Sequence, residues 1–204
     1  MSKRVTLLVM MSILVLSLAG CGSEPAPTED KAAAPAPPPK KEEPPAPVYD
    51  ITKESLTDHA DWTSRNVAIL GAKIGDVTRN IEKNFGKLDN TRTLAEDYLT
   101  IYEDNGLFVY TFKLTGKIRR FEVYDTFSKK LADEKLKKLL TSGDLKLMRD
   151  TFGQEEKIEE TADDPSTPAT EYVYDARGFR FIQYKVKGKT LNALRFSEIK
   201  KSST

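Results

Sequence analysis

The sequence predicts an α+β domain of two tandem repeats, each with short helices packed on one face of an antiparallel sheet, behind a disordered N-terminal linker. Three observations carry this. Eight of the nine glycines between residues 49 and 200 fall into ordered pairs: Gly75 with Gly143, Gly86 with Gly153, Gly106 with Gly178, and Gly116 with Gly188. After the first glycine of each set, a helical stripe gives way to three apolar, strand-like runs. Nine of the eleven prolines are confined to residues 22–48.

At the N-terminus, Lys3 and Arg4 precede an apolar run from Val5 to Ala19. About 15 residues are too few to span a bilayer, which needs roughly 20, but suit the apolar core of a secretory signal. The run ends Leu18-Ala19-Gly20-Cys21, which resembles the lipobox of bacterial lipoproteins. The resemblance implies cleavage after residue 20 and a diacylglycerol thioether on Cys21, so that the mature chain is held at a membrane surface. Gly22 follows the cysteine, which by the same analogy permits sorting to an outer membrane where the cell has one; otherwise the chain sits on the outer face of the cell membrane. Cys21 is the only cysteine, so no internal disulfide can form.

Residues 21–48 read as the lipidated cysteine and a Pro/Ala-rich tether. With almost no large apolar side chains, the segment cannot bury enough surface to offset the entropy of ordering. At about 3.1 Å per residue, residues 22–48 reach roughly 80 Å when extended. Their charges nearly cancel, so they form no polybasic lipid patch.

The first repeat spans 49–130 and the second 131–200, together one compact domain. A helix is expected over Val77, Ile81 and Phe85, spaced i, i+4 and i+8, and another over Leu145, Met148 and Phe152. Asp76 and Asp144 suit N-caps, and Gly86 and Gly153 suit C-caps. A further helix at about Ala132–Leu140 presents Leu136, Leu139 and Leu140; its counterpart lies within Lys53–Trp62. Strands follow at Tyr98–Tyr102, Leu107–Leu114 and Lys117–Tyr124, and again at Glu171–Tyr174, Phe179–Val186 and Thr190–Phe196, with glycine turns between them. The last strands align only with one extra residue in the second repeat, supplied by a bulge or longer turn near Lys189.

The central strands alternate. One face carries Phe108, Tyr110, Phe112 and Leu114, then Arg180, Ile182, Tyr184 and Val186; being more apolar, it is expected under the helices. The other carries Leu107, Val109, Phe179 and Phe181, and these four are expected to form an exposed protein-binding patch, unless the two faces are inverted.

Little chemistry is supplied. His59 is the only histidine, which leaves a metal centre poorly provided. The acidic run Glu155-Glu156 to Asp163-Asp164 lacks the alternating oxygen ligands of a calcium loop and reads as solvated. Basic and acidic residues nearly balance, 32 against 31, so there is no nucleic-acid footprint. No Gly-x-Ser-x-Gly elbow occurs. Neither a metal, a cofactor nor a catalytic group is expected.

The order Gly-Asp-Val, a helix ending Phe-Gly, Tyr before Gly, an apolar strand, Gly-Lys and a second apolar strand resembles the α+β repeat of the BamE/SmpA/OmlA lipoprotein family and of the β-lactamase inhibitor protein fold. The resemblance covers most of residues 66–197. It implies helices on one face of an antiparallel sheet and a protein-binding role. The departures are two repeats where BamE proteins have one, no proline after the helix-closing glycine, and no disulfides. The resulting expectation is a lipid-anchored envelope protein that binds another envelope protein without catalysis. The alternatives are an inhibitor of a secreted or envelope enzyme and, third, a small-ligand sensor or a hydrolase.

Overall fold

The structure, a computed structural model, describes residues 46–80, 82–161 and 167–199. The signal, Cys21, the tether as far as residue 45, Ile81 and the Asp163-Asp164 end of the acidic run lie outside the described residues.

Alternating apolar and polar residues build most of the strands. In chain order they are β1 (Tyr49–Asp50), β2 (Val67–Ile69), β3 (Ala72–Lys73), β4 (Asn90–Thr93), β5 (Asp97–Tyr102), β6 (Leu107–Phe112) and β7 (Ile118–Tyr124). Two helices follow, α1 (Glu134–Ser142) and α2 (Leu145–Phe152). The chain closes with β8 (Lys157–Thr161), β9 (Ala169–Tyr174), β10 (Phe179–Val186) and β11 (Lys189–Ser197). The protein is therefore α+β, with its described residues in one compact unit.

Eight strands form one antiparallel sheet in the order β4-β5-β6-β7-β11-β10-β9-β8. The junction is the β7–β11 ladder, whose middle pair is Glu122 and Arg195. On either side of it the registers correspond: Tyr102 pairs with Leu107 as Tyr174 pairs with Phe179, and Thr100 with Val109 as Tyr172 with Phe181. The hairpins next to the junction differ. β10–β11 turns tightly at Lys187-Gly188, both at positive φ. In β6–β7 the register slips between Tyr110–Arg120 and Thr111–Ile118, leaving Arg119 as an extra residue. The irregularity expected near Lys189 thus falls in β7, while the β10–β11 hairpin is the longer of the two.

A smaller sheet, β1-β2-β3, was not foreseen. Its strands are two or three residues long, too short to show a period. β4 and β8 were missed for a different reason. Asn-Thr-Arg-Thr and Lys-Ile-Glu-Glu-Thr are edge strands with both faces largely in solvent, so no apolar alternation marks them. The middle of the acidic run, Lys157–Thr161, is consequently strand and not loop, and Glu155 just before it is buried against Arg149 through two hydrogen bonds of 3.0 and 2.7 Å.

The second-half helices follow expectation. The Asp144 carboxylate accepts from Lys146 and Leu147 N–H, and Asp133 does the same for Lys135 and Leu136. Leu136, Leu139, Leu140 and Met148 turn inward. The helix expected from Val77 to Phe85 is instead two 3₁₀ turns, Thr78–Asn80 and Glu82–Asn84. Three local bonds explain this. Asp76 Oδ2 turns back to Lys73 N–H at 2.8 Å and does not cap. Thr78 N–H donates to Gly116 O, and Val77 forms a bridge with Lys117. The first turn is thereby stitched to the β6–β7 hairpin, and Thr78, Asn80 and Asn84 are weak helix formers. Phe85 still reaches the core, whereas Val77 is 40% exposed.

The core lies between the sheet and the helices. Leu107, Val109, Phe121, Val123, Phe179, Phe181, Leu194 and Phe196 supply the sheet side. Trp62 closes it from above, edge-on to Phe152 at 5.9 Å and to Phe179 at 5.5 Å. Each such aromatic contributes about 1.5–3 kcal/mol by burial. Two glycines shape the ends of the sheet. Gly106 and Gly178 close 3₁₀ turns at φ 59° and 65°. A Cβ on Gly106 would meet Phe127 N at 2.9 Å, and one on Gly178 would meet Ser197 O at 2.6 Å. No described helix is long and apolar enough to cross a membrane.

Candidate functional site

The four residues expected to form an exposed binding patch are in the core. Leu107, Val109 and Phe181 are fully buried and Phe179 is 1% exposed. The faces are inverted relative to the expectation, for a reason visible in the side chains. The opposite face carries Arg180 and, on the neighbouring strands, Glu122, Glu171 and Arg195, and four charges of this kind cannot lie beneath a helix layer. Counting apolar residues along β6 and β10 alone gave the wrong answer; reading the charges of β7, β9 and β11 at the same parity would have given the right one.

That opposite face is the candidate site. Arg195 Nε donates to Glu122 Oε1 at 2.7 Å, and Arg195 Nη1 donates to Glu171 Oε1 at 2.8 Å. Arg180 bridges Glu171 and Glu159, the latter at 2.8 Å. The second Glu122 oxygen accepts from the Tyr124 hydroxyl at 2.8 Å and the Tyr184 hydroxyl at 3.3 Å. Burial works against ionisation of Glu122, but the Arg195 and Arg120 charges and the Tyr124 hydrogen bond outweigh it and hold the carboxyl below its ordinary value. Burial, reinforced by the Glu122 charge, pushes the Tyr184 hydroxyl up to about 12 and raises Tyr124 as well. Both tyrosines are therefore neutral donors at physiological pH.

Aromatic rings border this network. Phe108 and Tyr124 lie 4.6 Å apart, and Tyr124 stacks toward Tyr184 at 6.1 Å. Arg120 sits over the Tyr110 ring at 4.6 Å. Between the rings opens a cavity of about 340 Å³, with Glu103 and Asp125 at its rim. A neighbouring crevice of about 210 Å³ holds Arg119, Arg120, Arg180 and Arg195. It offers little to an anion, since each guanidinium faces a carboxylate: Arg119 meets Glu96 and Glu198, and Arg120 meets Glu122 at 3.9 Å.

On the helix side, the 3₁₀ turns leave a second cavity of about 600 Å³ lined by Thr78, Glu82, Lys83, Leu88 and Tyr98. Leu88 and Tyr98 are 52% and 43% exposed there. Elsewhere, His59 stacks on Tyr49 at 4.0 Å and lies 3.3 Å from Glu54, a surface arrangement. Among the described residues no group of three or more His, Cys, Asp or Glu is placed to hold a metal ion. No protein-family model, no curated protein and no solved structure matches the chain.

Proposed function

We propose that this protein is a membrane-anchored envelope lipoprotein that binds another envelope protein without catalysis, using the sheet face opposite its helices. The observation that carries the reading is that face itself. Partly buried Phe108, Tyr110, Tyr124 and Tyr184 stand beside Arg180 and Arg195, and Tyr and Arg are the residue types that dominate binding hot spots. The ion-pair network beneath fixes the side chains, so little rotamer entropy remains to be lost on docking.

Attachment through Cys21 rests on the lipobox resemblance and on the apolar run before it. Two acyl chains or more give a stable anchor where one alone is marginal. The domain is proposed to have arisen as two tandem repeats, 49–130 and 131–200. The matched registers either side of the β7–β11 junction and the paired turns at Gly106 and Gly178 support this. It is the arrangement that the BamE/SmpA/OmlA and inhibitor-fold resemblance implies.

The test is photo-crosslinking from residue 108 or 184 in intact cells. A stoichiometric envelope assembly on these positions supports the reading, a captured hydrolase moves it to the inhibitor alternative, and an absence of protein adducts sinks it. Cys21→Ser should release the chain from the membrane fraction and abolish its labelling by palmitate.

A further inference from the structure

The 340 Å³ cavity on the sheet face has an unusual lining. Four of its residues are aromatic: Phe108, Tyr110, Tyr124 and Tyr184. Three are carboxylates: Glu103, Asp125 and Glu122. No Lys or Arg is among the described residues that line it. Glu122 is already answered by Arg195 and Arg120, neither of which borders the cavity. Glu103 and Asp125 at the rim are both exposed, and neither has an ion-pair partner among the described residues.

Aromatic faces and carboxylates converging on one cavity suit a single chemical class. An organic cation is drawn to the ring quadrupole and to the rim charge together, while its alkyl stem covers the apolar walls. An anion would have to pass the Glu103 and Asp125 rim to reach the guanidinium groups behind Tyr184 and Tyr110, and a neutral apolar group leaves the rim charge unused. The protein itself makes this contact next door, where Arg120 lies over the outer ring of the set, Tyr110, at 4.6 Å. Among the described residues no Lys or Arg lies over the rings of Phe108, Tyr124 or Tyr184. Each tyrosine hydroxyl is already bonded to Glu122, which aims the ring and not the hydroxyl at an incoming group.

We infer that this aromatic, acid-rimmed cavity receives an Arg or Lys side chain carried by the partner protein. The inference rests on the docking reading above and names the anchor that the partner must present. A basic side chain set in a central pocket is the kind of contact on which protein interfaces concentrate their energy.

The test uses the full chain and three small probes, n-butylguanidinium, n-butylammonium and the neutral isostere n-butylurea, followed by chemical shifts of the Tyr124 and Tyr184 signals. The two cations should bind at least about fivefold more tightly than the urea, the factor a partly desolvated cation–π contact supplies. Phe108→Leu and the rim pair Glu103→Gln with Asp125→Asn should each weaken the cations and leave the urea unchanged. Equal binding of the urea, or cations indifferent to both variants, overturns the assignment. The crosslinking experiment separates the two claims. Cation binding with no captured protein ends the docking reading and keeps the cation site; capture unaffected by the rim variants ends the cation site and keeps the docking reading.

Discussion

Glu122 and Arg195 pair across the β7–β11 ladder with 2.7 Å between Oε1 and Nε, at the middle of the ladder that joins the two halves of the eight-stranded sheet. The carboxylate is fully buried and the guanidinium side chain 13% exposed. Removing either partner breaks a buried pair and leaves the other charge with weaker support: Arg195 keeps Glu171 at 2.8 Å, and Glu122 keeps Arg120 at 3.9 Å. Arg195→Leu or Glu122→Leu should each cost about 3–5 kcal/mol, read by denaturant melts. The double variant should lose clearly less than the sum, because two apolar residues on a sheet face need no partner. Additive losses would show that the pair acts as two independent contacts.

The half-sheet junction was only partly legible in the sequence. The glycine pairs and the alternation of β5, β6, β7, β9, β10 and β11 were readable because those strands are half-buried, and half-burial writes a period of two. β4 and β8 write no period, since solvent lies on both faces. The i, i+4, i+8 spacing at Val77 predicts a helix that does not form, because spacing says nothing of hydrogen bonds to a neighbouring hairpin, which is where Thr78 N–H goes. Leu107, Val109, Phe179 and Phe181 are buried where exposure was expected, because β6 and β10 read alone do not show the charges of Glu122, Glu171 and Arg195, which lie on neighbouring strands distant in sequence.

Asp133 ties the N-terminal segment to α1. One oxygen accepts from Lys135 and Leu136 N–H; the other accepts from Thr57 N–H at 2.7 Å and the Ser55 hydroxyl at 3.1 Å. Burial opposes ionisation, but these hydrogen bonds outweigh it and depress the carboxyl below its ordinary value. A depressed folded value means stability that is complete above the ordinary carboxylate range and is lost as pH falls through the folded value. Glu122 has the same sign. Asp133→Ala should cost about 2–4 kcal/mol at neutral pH. It should also flatten the acid limb of the stability curve, and an unchanged limb would remove Asp133 from the linkage.

Gly106 and Gly178 occupy matching turns, and each combines positive φ with a close backbone neighbour. Gly178→Ala must accept left-handed strain of about 1–2 kcal/mol and displace Ser64 Oγ, Ser197 O and Ile199 as well. Gly188→Ala carries the strain alone, since nothing lies within 4 Å of its Cβ position. Thermal melts should therefore rank Gly178→Ala well below Gly188→Ala. Equal melting temperatures would mean that the Ser64–Ser197 contact gives way freely.

Val109 and Phe181 test the proposal that the sheet face opposite the helices binds a partner. Both are fully buried against the helices, and Phe181 also packs beside Tyr172 at 5.9 Å. Phe181→Ala should cost about 3–5 kcal/mol, and Val109→Asp should cost more than Val109→Ala because it buries a charge with no partner. Partner capture by Phe181→Ala, measured well below its lowered melting temperature, should match that of the unaltered chain. The protein that remains folded still presents Phe108, Tyr124 and Tyr184 on the other face. Capture lost while the fold persists would move the proposed binding surface to the helix side, where the cavity beside Leu88 and Tyr98 offers a place for a partner to sit.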